Sequence, residues 1–517
     1  MKHLFYTALC ILLVGCSLDE KPVDQIPEEE AFTSKQSLYQ NTVATLYNYI
    51  GGNADGQGLQ GTCRGVYDLQ TFGSDEAILP TRGTDWYDGG MWQEMYKHTW
   101  GAGHELVGNS WKYLYKVVTL CNNSLEKLKE HEDLAGVDYD DWRAEVRTIR
   151  AIYYWYLIDL YGNVPLILST KTSMNEVQSA DRAKVFYFIV EELNDCLDYL
   201  PYIFSARPGY YYGHVTYPVA LFVLAKLMLN SPVYTGVTDP ECYRKCIKYC
   251  SAIEEMGYEL QDHYYENFSS NNEISKENIF IIHMDKDLYT NQQQNIFRSL
   301  HPRHAAALGF SGENGSSATK RTLEIFGYGG EPDDVDVRFH YNYYSGDVVG
   351  LDSWPIKDRS GNYFSYVPEA IELDLSNSPY LETAGARMHK YDVDINCTKD
   401  GKLMDNDIVL FRFADVLLMR AEAKVRLGED GSDDFDRVRE RVWENKRPCT
   451  LENILDERLL ELCWEGWRRQ DLIRFGQYRS LYEGPDAIDE SDGHTTVYPI
   501  PDAVVTLNPN IKQNPGY

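Results

Sequence analysis

The stretch RTIRAIYYWYLIDLYGNVPLI, residues 147–167, predicts the long helix from which the rest of the fold is built. Its apolar and aromatic residues recur at three- and four-residue spacing, which is typical of a helix with a buried face. Gly162 is suited to end a helix, and Pro165 prevents its continuation. We therefore expect a helix that begins near Asp140 and whose aromatic run, 153–161, lies in the core.

Similar helical patterns lie on both sides of this stretch. We predict further helices at about 38–50, 108–128, 181–200, 216–230, 239–256, 407–428, 433–446 and 451–475. Residues 262–405 are instead rich in Tyr, Asn, Gly, Ser and Asp, and only short apolar runs such as 279–282 suggest strands. The predicted fold is mainly α, with helix–turn–helix pairs as a scaffold and this loop-rich insert between them.

Composition narrows the class of ligand. The chain has 517 residues, 40 Tyr, 10 Trp and a formal charge of −30. Such a negative chain is unsuited to the phosphate backbone of nucleic acids or to anionic lipid, because both need a positive face. Tyr and Trp combine an apolar ring with a polar tip and suit wet binding surfaces. A neutral, hydroxyl-rich ligand fits best.

The N-terminus, MKHLFYTALCILLVGCSLDE, indicates export and lipid anchoring. A positive residue and a short apolar run form a signal peptide, residues 1–15. Residues 13–16 resemble the lipobox of bacterial lipoproteins, which implies cleavage before Cys16 and acylation of that residue. Residues 16–35 then form a lipidated tether, and residues 36–517 form a single domain whose helical scaffold covers about 36–52, 108–260 and 407–478.

The cysteines do not suggest a metal or redox site. Nine remain after the signal peptide and Cys16 are set aside, and none has metal-ligand spacing. Cys242, Cys246 and Cys250 recur every four residues, which places them on one face of a helix. We predict no cofactor and no metal.

Residues 71–100 carry the clearest candidate binding motif, TFGSDEAILPTRGTDWYDGGMWQEMYKHTW. Trp86 lies among Asp and Gly residues where no regular element can bury both faces of its ring. A flat aromatic ring can cover the C–H face of a sugar while neighbouring charged groups bind its hydroxyls. Trp100 is predicted to lie in the core. The candidate ligand-binding residues here are Asp75, Arg82, Asp85, Trp86 and Trp92, together with Arg64 just before the motif.

Several strings together resemble the SusD/RagB family of outer-membrane nutrient-binding lipoproteins. They are the lipobox at Cys16, the stretch 147–167, LAKLMLNSPVYTG at 224–236, FRFADVLLMRAEAKVRLG at 411–428, RLLELCWEGWRRQDLIRFGQY at 458–478 and the ending YPIP…NPGY. The resemblance implies tetratricopeptide-like helix pairs that support an irregular, loop-rich ligand-binding region. It also implies a glycan-binding protein that faces the cell exterior and delivers its ligand to a SusC-like TonB-dependent transporter.

The resemblance extends to individual residues. Arg64 corresponds to an arginine that contacts the ligand in starch-binding members, and the loops around Tyr289 and Phe310 correspond to regions that supply aromatic rings. Leu79 and Thr81 stand where starch-binding members have tryptophans, which argues against starch itself. Trp354 is a further ligand-binding candidate.

Other interpretations compete for parts of the chain. Clustered acids such as Asp333, Asp334 and Asp336 would allow a surface glycoside hydrolase, although no hydrolase motif is present. A helical-repeat adaptor without a ligand would explain the helices but not the aromatic loops. The segment 465–469 is expected to be a structural corner whose arginines pair with Glu461, Glu465 or Asp471, and the C-terminal YPIP segment a strap on the helices.

Overall fold

The helix predicted from residues 147–167 is the centre of the scaffold. The computed structural model describes residues 31–205, 209–288, 291–331, 334–397 and 400–517. In it the central helix spans Tyr139–Tyr161 and ends at Gly162, whose φ of 70° is left-handed. The aromatic run 153–161 is buried, as predicted, because the helix packs between two other long helices.

Helices account for most of the regular structure, so the predicted mainly α fold class is confirmed. A π-helical segment, Gln40–Ala44, lies between the first two of them. In chain order the α-helices are α1 (Lys35–Tyr39), α2 (Thr45–Ile50), α3 (Val66–Thr71), α4 (Met91–Lys97), α5 (Glu105–Glu130), α6 (Glu132–Ala135), α7 (Tyr139–Tyr161), α8 (Arg182–Cys196), α9 (Tyr217–Leu229), α10 (Ser231–Thr235), α11 (Pro240–Glu255), α12 (Asn295–Ser299), α13 (Pro302–Ala307), α14 (Lys320–Ile325), α15 (Arg338–Asn342), α16 (Phe413–Arg426), α17 (Ser432–Arg441), α18 (Leu451–Leu462), α19 (Arg468–Arg474) and α20 (Asp502–Leu507).

The long helices pack in pairs. Helix α5 lies on α7, α7 on α8, α9 on α11, α11 on α16, and α16 on α17 and α18. Small buried residues, Ala414, Ala421 and Ala423, allow α16 to approach its neighbours closely. This pairing agrees with the tetratricopeptide-like scaffold that the sequence predicts.

Short antiparallel strands tie the loop-rich insert together. The strands are β1 (Ala77–Ile78), β2 (Val164–Pro165), β3 (Ser179–Ala180), β4 (Asn278–Ile282), β5 (Ser317–Ala318), β6 (Tyr343–Tyr344), β7 (Gly346–Asp347), β8 (Ser365–Tyr366), β9 (Arg387–Met388) and β10 (Ile408–Arg412). Every sheet of the described residues is two-stranded: β1 pairs with β5, β2 with β3, β4 with β10, β6 with β9 and β7 with β8.

Two predicted helices are corrected by the structure. The segment Ile408–Arg412 is a strand, because its fully buried run of apolar residues pairs with β4 before the chain enters α16. The helix predicted at 451–475 is two helices, since Trp464 and Gly466 adopt left-handed backbone conformations, with φ of 64° and 75°. Periodicity alone cannot separate a short buried strand from the helix that follows it.

The predicted structural motifs are in place, with one change of partners. Cys246 and Cys250 are buried on α11, and Trp100 lies in the core. Tyr498 of the C-terminal strap donates its hydroxyl to the Leu69 carbonyl at 2.7 Å. The corner arginines do not pair with the predicted carboxylates.

Instead, Arg468 binds Asp75 and Arg469 binds Asp159. These partners lie hundreds of residues earlier in the chain. Among the described residues, no helix is both long enough and apolar enough to cross a membrane.

A buried network of charges joins the insert to the helical scaffold. Arg412, the residue before α16, contacts Glu277 at 2.7 Å, Glu461 at 2.6 Å and Glu465 at 2.8 Å. Glu461 also accepts from Arg338 and Arg441, so three guanidinium groups converge on it. All of these side chains are almost completely buried. Such a network stabilises a fold only while every charge has its partner.

We predict that Glu461→Gln destabilises the protein by about 3–5 kcal/mol. The change leaves three arginines around a neutral side chain in a site without solvent. Equilibrium unfolding in denaturant measures the loss. Glu429→Gln, the same substitution at an exposed position, is the control and should change stability by less than about 0.5 kcal/mol. Equal stability of the two variants would show that the network is not needed.

Glu76 gives a second prediction, because burial raises its pKa from 4.5 to about 8. One oxygen accepts the Trp464 backbone N–H and the other has no hydrogen-bond partner. The folded chain therefore keeps a proton that the unfolded chain has already lost, and this lowers stability as the pH rises from about 4.5 to about 8. Glu76→Gln removes that titration. We expect its melting temperature to fall less than that of the wild type over this range; parallel curves would contradict the assignment.

Candidate functional site

Four of the predicted ligand-binding residues face the interior. The Asp75 carboxylate accepts from Arg468 at 2.6 and 2.9 Å. Arg82 donates to the carbonyls of Leu381 and Ala384, both at 2.8 Å, and its burial holds its pKa well below the ordinary value. The Asp75 carboxylate and both terminal nitrogens of Arg82 are occupied by the protein itself, which favours a structural role for both residues.

The other two of these four residues, Trp92 and Phe310, are aromatic and are also buried. Trp92 is 2% exposed, and its indole N–H donates to Asp88 at 2.8 Å. Phe310 is 4% exposed and lies beneath Gly401, where a Cβ would come within 2.6 Å of the ring. Neither ring offers a free face to a ligand in this conformation. Tyr289 lies outside the described residues, and its role stays a prediction.

Trp86 is half-buried on an exposed loop. Its indole N–H donates to the Glu313 carbonyl at 2.9 Å, and its ring lies against Gly315, where a Cβ would come within 2.8 Å of the indole. The edge of the ring meets Trp92, with 6.2 Å between ring centroids. The indole is therefore held in one orientation. Asp85, also a predicted site residue, is exposed beside it.

Left-handed backbone conformations gather at this loop. Arg64, Trp86 and Asp88 have φ values of 61°, 59° and 43°. Each costs a non-glycine residue about 1–2 kcal/mol, and such strain tends to collect at functional sites. Here the surrounding contacts must hold the strained conformations. The strained conformations therefore mark this part of the surface as a candidate functional site.

Arg64 links the loop to the start of α5. Its guanidinium contacts Asp88 at 3.1 Å, Glu105 at 3.3 Å and Asp55 at 3.7 Å. These side chains are partly exposed, so their charges and hydrogen-bonding groups remain accessible at the surface. Tyr87, which the sequence analysis did not single out, is 51% exposed between Trp86 and Asp88. Its position directly beside Trp86 was the available signal.

A β-hairpin, residues 346–366, carries the remaining candidate. Its outer part exposes Trp354 at 73% and Tyr363 at 58%. Isolated bridges join Val349 to Pro355 and Lys357 to Tyr363. The hairpin contacts α13, since Arg303 donates to the Lys357 carbonyl at 3.0 Å.

A chain of contacts connects the hairpin with Trp86. Asn314, next to the Glu313 carbonyl that holds Trp86, accepts from Arg387 at 2.7 Å. Arg387 also donates to the backbone of Glu382, whose carboxylate lies 3.8 Å from His301. His301 in turn accepts from the backbone of Arg303. We call the surface defined by Arg64, Trp86, Tyr87, His301, Arg303, Trp354 and Tyr363 the Trp86–Trp354 face.

The hairpin side of this face has a positive environment. Burial, together with the nearby positive charges of Arg387, Arg303, Arg82 and Arg359, lowers the pKa of His301 to about 4. Burial also lowers the pKa of Arg387 to about 10. Buried arginines that are held by carbonyls rather than carboxylates keep their charge uncompensated.

Two open cavities lie elsewhere on the scaffold. One of about 850 Å³ runs along α5 from Glu105 past Trp111 and Tyr115 to the strap. Another of about 690 Å³ is lined by aromatic residues that sequence reasoning missed, because they come from distant segments; they are Tyr39, Trp142, Tyr199, Tyr210 and Tyr211. Arg64 lies beside the first cavity, since Asn109 on its wall donates to the Arg64 carbonyl.

The sequence of the chain is similar to those of known proteins. A sequence model described as the SusD family matches residues 254–517, and one described as starch-binding associating with outer membrane matches residues 64–229. The starch-binding protein SusD of Bacteroides thetaiotaomicron is 27% identical, over 100% of this chain and 99% of its own.

Solved structures share the fold. A laminarin binding SusD-like protein has a TM-score of 0.71 at 22% identity and covers 94% of this chain and 100% of its own. Surface glycan-binding protein A from Bacteroides thetaiotaomicron, in complex with laminarihexaose, has a TM-score of 0.71 at 18% identity and covers 93% and 100%. The SusD family model covers more than half of the chain and the solved SusD-like proteins share its fold, so this chain belongs to the SusD family.

Proposed function

We propose that this protein is a cell-surface glycan-binding lipoprotein, which captures an oligosaccharide or polysaccharide and delivers it to a SusC-like TonB-dependent transporter. The observation that carries the proposal is the fixed, half-buried indole of Trp86 on a strained, exposed loop beside Arg64. A rigid ring face next to accessible charged groups suits a ligand with an apolar face and a belt of hydroxyls.

The expected affinity of one ring is modest. Covering about 80 Å² of apolar surface contributes about 2 kcal/mol at ~25 cal/mol/Å². Several rings along the Trp86–Trp354 face would add to this, less the free energy of ordering the ligand. Modest affinity suits a protein that must pass its ligand on.

The names of the relatives support the ligand class. One relative is named for starch binding, one solved structure for laminarin binding, and another contains laminarihexaose. For this chain we propose a glycan without naming the sugar. Leu79 and Thr81 stand where starch-binding members have tryptophans, and both are buried. These two positions therefore present no aromatic ring to a ligand.

We propose a binding role without catalysis. Hydrolysis of a glycosidic bond needs two carboxyl groups placed on either side of it. Of the acids considered for this role, Asp336 is buried and bonded to Arg338 at 2.7 Å, and Asp333 lies outside the described residues. On the Trp86–Trp354 face, Asp88 and Glu105 both contact Arg64.

The proposed arrangement at the membrane follows from the N-terminus. Residues 1–15 are the signal peptide, Cys16 carries the lipid in the outer membrane, residues 16–35 are the tether, and residues 36–517 are the body, which acts as a lid over the transporter barrel. Cys16 lies outside the described residues. Helix α1 begins at Lys35, the last residue of the proposed tether.

We predict that Trp86→Ala weakens binding to a glycan ligand at least tenfold, because about 2 kcal/mol of ring contact is lost. Affinity electrophoresis against a panel of polysaccharides, followed by calorimetry on those that bind, measures the effect. Trp443→Ala is the matched control: this tryptophan follows α17, is 77% exposed, and has as its ring neighbour His263, which is not among the residues that define the face.

Three outcomes separate the candidate functions. Equal binding by Trp86→Ala and wild type would remove Trp86 from the site. No binding to any glycan, together with co-purification of a barrel transporter, would favour a helical-repeat adaptor. Breakdown of a bound glycan would favour a hydrolase.

We also predict that Cys16→Ser releases the protein from the outer membrane. The serine cannot carry the thioether-linked lipid, and each buried methylene of the acyl chains contributes ~0.8 kcal/mol to anchoring. Membrane fractionation with immunoblotting measures the change. Cys63→Ser, in the folded body, should stay in the membrane fraction; the same distribution for both variants would argue against lipidation at Cys16.

A further inference from the structure

The basic side chains at the hairpin end of the Trp86–Trp354 face have no acidic partners. Among the described residues, no carboxylate oxygen lies within 4.0 Å of the charged nitrogens of Arg303, Lys357 or Arg359. In a chain with 79 acidic and 49 basic residues, most basic groups can find a partner. Some surface lysines are paired, as Lys97 is with Asp486 and Lys276 with Glu259, and others are not, so the hairpin differs in that its unpaired cations lie beside exposed aromatic rings.

Two of the basic residues belong to the hairpin, and the third, Arg303, contacts its backbone. Arg303 reaches it from α13 and donates to the Lys357 carbonyl at 3.0 Å, while its own Nε has no partner. The ammonium group of Lys357 lies 6.0 Å from the ring centroid of Tyr363. Arg359 follows two residues later in the turn and is exposed.

Two acidic side chains of the hairpin, Asp352 and Asp358, accept hydrogen bonds from its backbone. Asp358 accepts the backbone N–H groups of Ser360 and Asn362 at 2.7 and 2.9 Å. Asp352 accepts the N–H of Trp354 at 3.0 Å. These bonds shape the turns, and both carboxylates, like that of the exposed Asp347, keep their negative charge within the hairpin.

The support beneath the hairpin adds positive charge. The hydroxyl of Tyr366, on β8, accepts the backbone N–H of His301, and the Arg387 guanidinium lies 5.0 Å from the Tyr366 ring centroid. Arg387 and the neighbouring Arg82 are buried and donate to backbone and amide oxygens rather than to carboxylates. The electric fields of these two guanidinium groups reach the surface with little screening, because solvent is excluded around them.

Exposed aromatic rings lie beside these cations. Trp354 and Tyr363 belong to the same hairpin and are mostly exposed. A ring face covers the C–H face of a sugar, and a guanidinium or ammonium group binds a carboxylate or sulfate through charge-assisted hydrogen bonds. Both chemistries are thus present within one hairpin.

We propose that the hairpin end of this face binds an acidic saccharide, with Arg303, Lys357 and Arg359 on the carboxylate of a uronic acid or on a sulfate ester, and with Trp354 or Tyr363 on the sugar ring. The inference rests on the proposed glycan-binding function and adds the class of glycan. A neutral glycan could occupy the Trp86 end alone, whereas an acidic glycan would use both ends.

The experiment compares neutral and acidic polysaccharides. The full-length protein, purified from membranes in detergent, is tested by affinity electrophoresis against laminarin, amylopectin and dextran as neutral probes. Alginate and polygalacturonate carry carboxylates, and chondroitin sulfate and carrageenan carry sulfates. The variant is Arg303→Gln/Lys357→Gln/Arg359→Gln. The charge-matched control is Lys184→Gln/Lys245→Gln/Lys248→Gln, three exposed positions on α8 and α11.

We expect at least one acidic polysaccharide to bind more tightly than every neutral one. The hairpin variant should bind it at least about fivefold more weakly, since each exposed charge contact contributes a modest amount, and the control variant should bind like the wild type. Raising the ionic strength to about 0.5 M should weaken the same interaction. The carboxylated and sulfated probes distinguish the two sources of negative charge.

The opposing results are distinct. Binding to neutral glycans that Trp86→Ala abolishes, with no preference for acidic ones, would overturn the acidic-ligand inference and leave the proposed function intact. Acidic binding that the hairpin variant and the control weaken equally would show attraction by overall charge only, and would also overturn it. Failure to bind any neutral or acidic glycan would contradict both. Unchanged thermal unfolding of the hairpin variant confirms that it is folded.

Discussion

The buried charge network around Glu461 is the constraint on which the rest of the structure depends. It joins α18 to Arg412 at the start of α16, to Arg441 on α17 and to Arg338 on α15. Burying these charges singly would be prohibitive, so the insert can dock on the scaffold only in the arrangement that pairs all of them. Hydrophobic packing supplies the driving force for folding. The network determines which surfaces meet.

A rigid scaffold of this kind permits strain at the surface. The left-handed conformations of Arg64, Trp86 and Asp88 would not persist in a free loop, because each is disfavoured by about 1–2 kcal/mol. Hydrogen bonds to the Glu313 carbonyl and packing on Gly315 hold Trp86 in place. The side chains that support the loop from below are buried and committed to internal partners. A preorganised ring loses little entropy on binding, and this increases the affinity that a single contact can give.

Charge is distributed unevenly over the Trp86–Trp354 face. At one end Arg64 is surrounded by Asp55, Asp88 and Glu105, so its charge is compensated. At the other end Arg303, Lys357 and Arg359 lie above two buried arginines. In the proposed binding mode, this asymmetry would orient an acidic chain along the face.

Local periodicity and motifs in a fixed order were enough to predict the helical scaffold, the helix end at Gly162, the cysteine stripe of α11 and membership of the family. It also directed attention to Trp86. Contacts between distant segments were needed to show that Asp75, Arg82, Trp92 and Phe310 are buried, that residues 408–412 form a strand, and that a chain of contacts links the hairpin to Trp86. The physical reason is distance along the chain: Asp75 is neutralised by Arg468 and Arg82 is held by Ala384. No local pattern reports a partner that folding brings from several hundred residues away.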